Sequence, residues 1–372
     1  MDRPAPHPSL RRIAGTELRV LSDVGASVIP VIQEEEEVIR GYVGRTAWPH
    51  RWVTLFILQD LQPLVRQVPE GAGLPPGGAA ALDHQPVINV YDLADLATCH
   101  IFVNQKAMIK EGYWDDRLAV RGLLAHEHAH PLAENAAARA SRRLKVELSW
   151  RMREPLALGI ASRMGGSDAT PDEPLTPTPR TSDAEPLGGQ WRAKIDRLLA
   201  LLVDKLCVYA PREIFANEVA IRSGFEEALL HLNRQNVAAA IRSVEGREAL
   251  RRHLEETAAD PTGLPRSGAE LLLLIGDLKG YLDLALEVAP FLRTGRTAGA
   301  RELEASLQAS VFSALEPEVV GAYEALRDQY IALPSDIPPT GLVSWGEVVV
   351  QILAGVLKER GLALHYRVTV AH

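Results

Sequence analysis

The chain has 372 residues, with 40 Lys and Arg against 48 Asp and Glu and a formal net charge of −8. That balance, with no long basic stripe, excludes a protein that holds nucleic acid by neutralising phosphates. At 47% hydrophobic and 24% charged residues the composition is that of a folded chain, long enough for two domains or one with a large appended lobe. Cys99 and Cys207 stand in no CxxC spacing, which indicates neither a disulfide scaffold nor a thiolate zinc site, although the two can still pair with each other. The N-terminus lacks an apolar signal region, and apolar runs such as that from Leu271 are too short to span a bilayer, so the expectation is a cytoplasmic protein with no membrane partner.

In chain order, ELRVLSDVGASVIPVI and RWVTLFIL read as strands, separated by the acidic run Glu34 to Glu37, which reads as a solvated face. The Gly- and Pro-rich segment around Gly71 to Ala81 reads as a loop, and a new unit starts near Pro86. PVINVYDL and CHIFVN follow as strands, the second being the expected edge on which a substrate backbone pairs. WDDRLAVRGLLAHEHAH has helical spacing, with Asp115 and Asp116 placed to favour its N-terminus. The stretch from Glu134 to Met164 is expected to be helical, with a break at Pro155. Residues 165–189 carry five prolines and read as a linker or insertion. Beyond it come helices, WRAKIDRLLALLVDKLCVYA and REIFANEVAIRSGFEEALLHL first, and the last third is helical until the closing strand LALHYRVTV.

Chemistry concentrates in LLAHEHAHPLAEN. His126 and His130 are four residues apart, about 40° around a helix axis, so both imidazoles reach one metal ion. Glu127, turned by about 100°, stays beside the metal as a general base for the attacking water. His128 points to the other side of the helix and reads as a surface or supporting residue rather than a ligand. Two histidines and a water leave one tetrahedral position for a third protein ligand. Glu213 is the first candidate, because Asn217 lies on the same helical face and can hydrogen-bond a ligand histidine; Glu218 and Glu134 are the alternatives. Tyr209, His231, Tyr281, Tyr323 and His365 are available to orient an oxyanion, and none is assigned that role.

With these residues the sequence resembles the gluzincin metallopeptidases, in which HExxH is completed by a glutamate of an ExxxD-like motif on a downstream helix. Here that motif reads Glu213-Ile-Phe-Ala-Asn217, with asparagine in the acidic place. The string from Glu213 to Ala220 is similar to the helix of small cytoplasmic gluzincins that include repressor-cleaving peptidases, and more loosely to that of the CaaX-prenyl endopeptidases. The resemblance covers roughly Val87 to Phe225. It implies a zinc-dependent peptidase with Zn2+ on His126, His130 and Glu213, Glu127 as the base, and a protein or peptide substrate.

The expected fold class is α+β: a zincin-like catalytic domain, with a small antiparallel or mixed sheet and an active-site helix, and a large, mostly helical C-terminal lobe. The expected divisions are an N-terminal α/β segment at 1–85, the metallopeptidase core with its proline-rich insertion at 86–225, and a helical domain at 226–372. The rival expectation is a non-catalytic helical scaffold or regulatory protein that keeps a structural or vestigial metal site.

Overall fold

The computed structural model describes residues 9–65, 84–152, 188–258 and 266–371. The expected loop around Gly71 to Ala81, the expected helix beyond residue 152 and the proline-rich segment up to residue 187 lie outside the described residues.

The class is α+β. Five strands form one mixed sheet in the order β1-β2-β3-β5-β4: β1 Ser9–Ile13, β2 Thr16–Ser22, β3 Trp52–Leu58, β4 Val87–Tyr91 and β5 Thr98–Asn104. The two outer pairs are antiparallel, and β2, β3 and β5 run parallel. Alternation explains the strands: Leu18 and Val20, then Val53, Leu55 and Ile57, then Cys99, Ile101 and Val103 are buried on one face, while their neighbours point outward.

The stretch expected as one long strand bends into helix α1, Ile29–Val43, which carries the acidic run. Pro30 in its first turn suits a helix start, where a missing N–H costs nothing. Glu34 and Glu35 are fully buried, contrary to the solvated face expected for them. Both oxygens of Glu34 are taken up, by Arg117 Nε and Arg121 Nε at 2.6 Å each, which is what makes a buried carboxylate tolerable.

After the short helices α2 (Gln62–Val65) and α3 (Gln105–Lys110) comes α4, Arg117–Leu132, which bears the HExxH motif. Asp116 caps it, accepting hydrogen bonds from Leu118 N and Ala119 N at 3.1 Å. Helix α5, Ala136–Ser141, is short, and the expected helix gives way to strand β6, Leu144–Met152. Leu144, Val146, Leu148 and Trp150 alternate with Lys145, Glu147, Ser149 and Arg151, a period of two that outweighs the helical propensity of the preceding alanines. β6 pairs antiparallel with β7, Leu362–Val370, from the far end of the chain.

The remaining helices are α6 (Gly188–Val203), α7 (Ala210–Ala220), α8 (Glu226–Ala258), α9 (Arg266–Tyr281), α10 (Ala285–Arg293), α11 (Thr297–Ser310), α12 (Pro317–Ala332) and α13 (Pro339–Glu359). The five-stranded sheet runs across residue 85, and one hydrophobic cluster reaches from Ile13 to Val368. By length and composition α13 is apolar enough to cross a membrane, which corrects the expectation that every apolar run is too short. A core helix passes the same test, and Leu342, Trp345, Val349, Leu353 and Leu357 are buried in the interior.

Helix α4 packs between β4, α1, α7 and α8. The approach to α8 is closest at Gly122, where an added Cβ would lie 2.8 Å from the Ala228 carbonyl oxygen. Backbone on both sides cannot yield, so Gly122→Ala is expected to destabilise the protein by about 1–3 kcal/mol. Gly246, inside α8, meets nothing within 4 Å, and Gly246→Ala is expected to stabilise by up to about 1 kcal/mol through helix propensity. Denaturant midpoints of the two variants should move in opposite directions.

Candidate metal centre

The helical spacing read from the sequence is realised. His126 and His130 stand one turn apart near the end of α4, their ring centroids 4.7 Å apart. Across from them, α7 presents Glu213, whose Oε2 is 3.0 Å from His126 Nε2 and whose Oε1 is 3.9 Å from His130 Nε2. One donor atom from each of the three lies within 4.8 Å of the others. Zinc bonds of 2.0–2.1 Å in tetrahedral geometry imply donor separations of about 3.3 Å, which the two measured distances bracket. Side-chain exposures of 17, 9 and 31% for His126, His130 and Glu213 leave one side of the group open to solvent.

The hydrogen-bond pattern argues for a cation at this point. Asn217 Oδ1 lies 2.8 Å from His126 Nδ1 and, as an acceptor, fixes the proton there. His126 Nε2 then turns its lone pair toward a carboxylate oxygen, an arrangement that only a proton or a metal ion between them stabilises. The electrostatics carry the same demand. Burial opposes a charge on His126, but Glu213 overrides it and raises the imidazole well above its ordinary value. Burial likewise opposes the charge on Glu213, which His130, His126 and Arg212 nevertheless hold low. Burial chiefly, with His126, Arg212 and Arg142 adding to it and Glu213 opposing, pushes His130 down to about 3.

Glu127 is held by β4. The Asn89 backbone N–H donates to Glu127 Oε2 at 3.1 Å, and Asn89 Nδ2 donates to the Glu127 carbonyl at 2.8 Å. The second bond has a cause in the sequence: the helical partner of that carbonyl would be the amide of residue 131, and Pro131 has none. Pro131 therefore sits inside the last turn of α4 without breaking it. Burial chiefly, with Glu213 adding to it and His126 and the Asn89 N–H opposing, pushes the Glu127 carboxyl up to about 7. A carboxylate near neutrality is matched to taking and returning a proton.

The alternative ligands turn elsewhere. Glu218, five residues beyond Glu213 and so about 140° around the helix, pairs with Arg222 at 2.8 Å and Arg293 at 3.2 Å. Glu134 pairs with Arg142, which also donates to the Tyr91 hydroxyl at 2.7 Å. Among the residues considered for an oxyanion, His231 bonds Asp116 at 2.7 Å, at the opposite end of α4. The Tyr281 hydroxyl pairs with Ser243 at 3.0 Å, Tyr323 is buried, and His365 lies on β7. Tyr209 immediately precedes α7, with the Arg212 guanidinium 5.8 Å from its ring centroid.

Two expectations are corrected. CHIFVN, as β5, is an inner strand between β3 and β4, so the sheet edge beside the motif is β4. His128 is fully buried rather than at the surface: its Nε2 lies 2.8 Å from Glu35 Oε1, and Cys99 Sγ is 3.9 Å from its Nδ1. Burial acts against charge on His128, but Glu35 and Cys99 raise it to about 10. Cys99 and Cys207 are both free. His50, Cys99 and His128 form a second, buried group able to hold a metal ion, which sequence spacing did not signal. Asn89, Arg142 and Arg212 were also missed. Only Pro131 offered a hint, by leaving a carbonyl in need of an outside donor.

No family model, curated protein or solved structure matches this chain.

Asn217→Ala should weaken binding of added zinc about 10–100-fold while Glu218→Ala leaves it unchanged, measured by competition with a chromogenic chelator. Asn89→Leu keeps the backbone donor to the Glu127 carboxylate but removes the side-chain donor to the Glu127 carbonyl, and should cost about 1–3 kcal/mol of stability, read from urea unfolding.

Proposed function

We propose that the chain is a zinc-dependent metallopeptidase that hydrolyses peptide bonds in a protein or peptide substrate, in keeping with the gluzincin resemblance and with a cytoplasmic setting. The observation that carries the reading is the joint placement of His126, His130 and Glu213 around one point, with Glu127 beside them on the same helix. Three N/O donors and an open side are the composition of a catalytic zinc site, whereas structural sites are usually closed by four ligands and dominated by cysteine.

When bound, zinc supplies Lewis-acid polarisation of the scissile carbonyl and of the attacking water. His126, His130 and Glu213 hold it, and Asn217 keeps the His126 ring in the orientation that offers Nε2. Glu127 accepts a proton from the water as its oxygen attacks the carbonyl carbon, and returns a proton to the amine nitrogen as the C–N bond breaks. Asn89 fixes one Glu127 oxygen, leaving the other to face the water. Among the described residues the outer edge of β4 pairs with no strand, and apart from the Asn89 N–H, which Glu127 takes, it offers an extended substrate backbone its main-chain groups, in line with the site because Asn89 belongs to that strand.

Glu127→Gln should lower turnover of a quenched-fluorescence peptide library at least 100-fold with the zinc content unchanged. Wild-type turnover in that variant, or a zinc-loaded wild type that cleaves no peptide in the library, would refute the peptidase reading and favour a scaffold with a vestigial site.

A further inference from the structure

The opposite side of α4 carries a second constellation that plays no part in the reading above. His128 projects from α4 toward the sheet, Cys99 from β5 toward the helix, and His50 sits in the loop before β3. Their exposures are 0, 0 and 2%, so the point at which they meet is closed to solvent.

Each imidazole has one nitrogen committed. His50 Nδ1 lies within hydrogen-bond distance of the Leu96 carbonyl, an acceptor, so it carries the proton and leaves Nε2 with a free lone pair. That Nε2 is buried and has no hydrogen-bond partner among the described residues, an unusual state for a core nitrogen. His128 Nε2 faces Glu35 Oε1 at 2.8 Å, which places the proton between those two and leaves Nδ1 facing Cys99 Sγ. Glu35 thereby forms the carboxylate–histidine pairing that commonly stands behind a metal-bound imidazole. The His50 lone pair, the His128 Nδ1 that faces the thiol, and the thiol itself thus converge, with one donor atom from each residue within 4.8 Å of the others; metal binding displaces any proton on Nδ1. The 3.9 Å between His128 Nδ1 and Cys99 Sγ is close to the roughly 3.6–3.8 Å expected when nitrogen at 2.0–2.1 Å and sulfur at 2.3 Å bind one ion. Trp48 covers the group, its ring centroid 4.6 Å from that of His50 and 5.2 Å from that of His128.

We propose that His50 Nε2, His128 Nδ1 and Cys99 Sγ form a second metal centre, a closed one that binds a thiophilic late transition ion, Zn2+ or Cu+. A thiolate with two imidazoles selects such ions over Mg2+ or Ca2+, which take oxygen donors. Three donors suit Cu+ as they stand, while Zn2+ takes one more. On binding, the Cys99 thiol releases its proton and sulfur bonds the ion as the thiolate. The ion ties the back of α4 to β5 and to the loop before β3, fixing the helix from the side opposite His126 and His130. With no solvent path to it, the ion is acquired as the chain folds.

The centre differs from the first in containing sulfur, and that separates the two in one experiment. The full chain is purified, its metals counted by elemental mass spectrometry, and X-ray absorption recorded at the edge of each metal found. The expected result is two ions per chain, one with a sulfur neighbour near 2.3 Å; the element at that edge distinguishes zinc from copper. Reconstitution with Co2+ should give a thiolate-to-cobalt charge-transfer band in the near ultraviolet. The band should persist in a His126→Ala, Glu213→Ala double variant and vanish in Cys99→Ser. Should Cys99→Ser not fold, the sulfur shell and the cobalt band of the double variant decide the matter without it. A folded protein, reconstituted with Zn2+, Cu+ and Co2+ in turn, that shows only nitrogen and oxygen neighbours or no bound metal would overturn the proposal, while leaving the peptidase reading to its own test.

Discussion

Everything in this structure turns on one helix that is polar on several sides and buried on most of them. Between residues 117 and 130, α4 carries two arginines, three histidines and a glutamate, and it is surrounded by a sheet edge and three other helices. A polar group taken from water must find a partner or cost several kcal/mol. The partners come from four elements: Arg117 and Arg121 draw on α1, Glu127 on β4, His128 on α1 and β5, and His126 on α7. The partners in turn fix where those elements sit, so the polar demands of the helix and the packing of its neighbours are one problem with one solution.

The two faces of the helix solve it differently. On the outer face, the carboxylate of Glu213 meets an imidazole whose other nitrogen is already spent on Asn217, and the side chains stay partly open. That combination leaves a place for a cation and for a water. On the inner face, His128 has Glu35 behind it and a thiol before it, sealed from solvent under Trp48. An open face suits turnover and a sealed one suits permanence. Asn89 lies between the two, since its side chain accepts from Cys99 Sγ at 3.6 Å while its amides hold Glu127.

Pro131 illustrates how a local irregularity is absorbed. A proline in a helix removes one hydrogen bond, and the loss falls on the carbonyl of Glu127. Asn89 restores the bond from outside the helix and, through the same residue, its backbone reaches the carboxylate. The defect thus recruits the edge strand to the motif. This makes β4, and not the more apolar β5, the strand beside the site.

Periodicity determined the local features. The four-residue spacings of His126 with His130 and of Glu213 with Asn217 fix shared helical faces wherever the helices lie, and Asp116 marks a helix start through its own backbone geometry. Those relations live within a few residues, so composition and spacing carry them. Which side of α4 would meet water, and which acids would be buried, depended on contacts between distant segments. Glu34 and Glu35 look like any acidic run until Arg117, Arg121 and His128 are brought against them from more than eighty residues away. Strand β6 follows from its period of two, but its place follows from β7 at the other end of the chain. His50 and Cys99 have no spacing relation to His128 at all; they meet because β3 and β5 are neighbours in the sheet and α4 lies across them, an arrangement that only the tertiary packing decided.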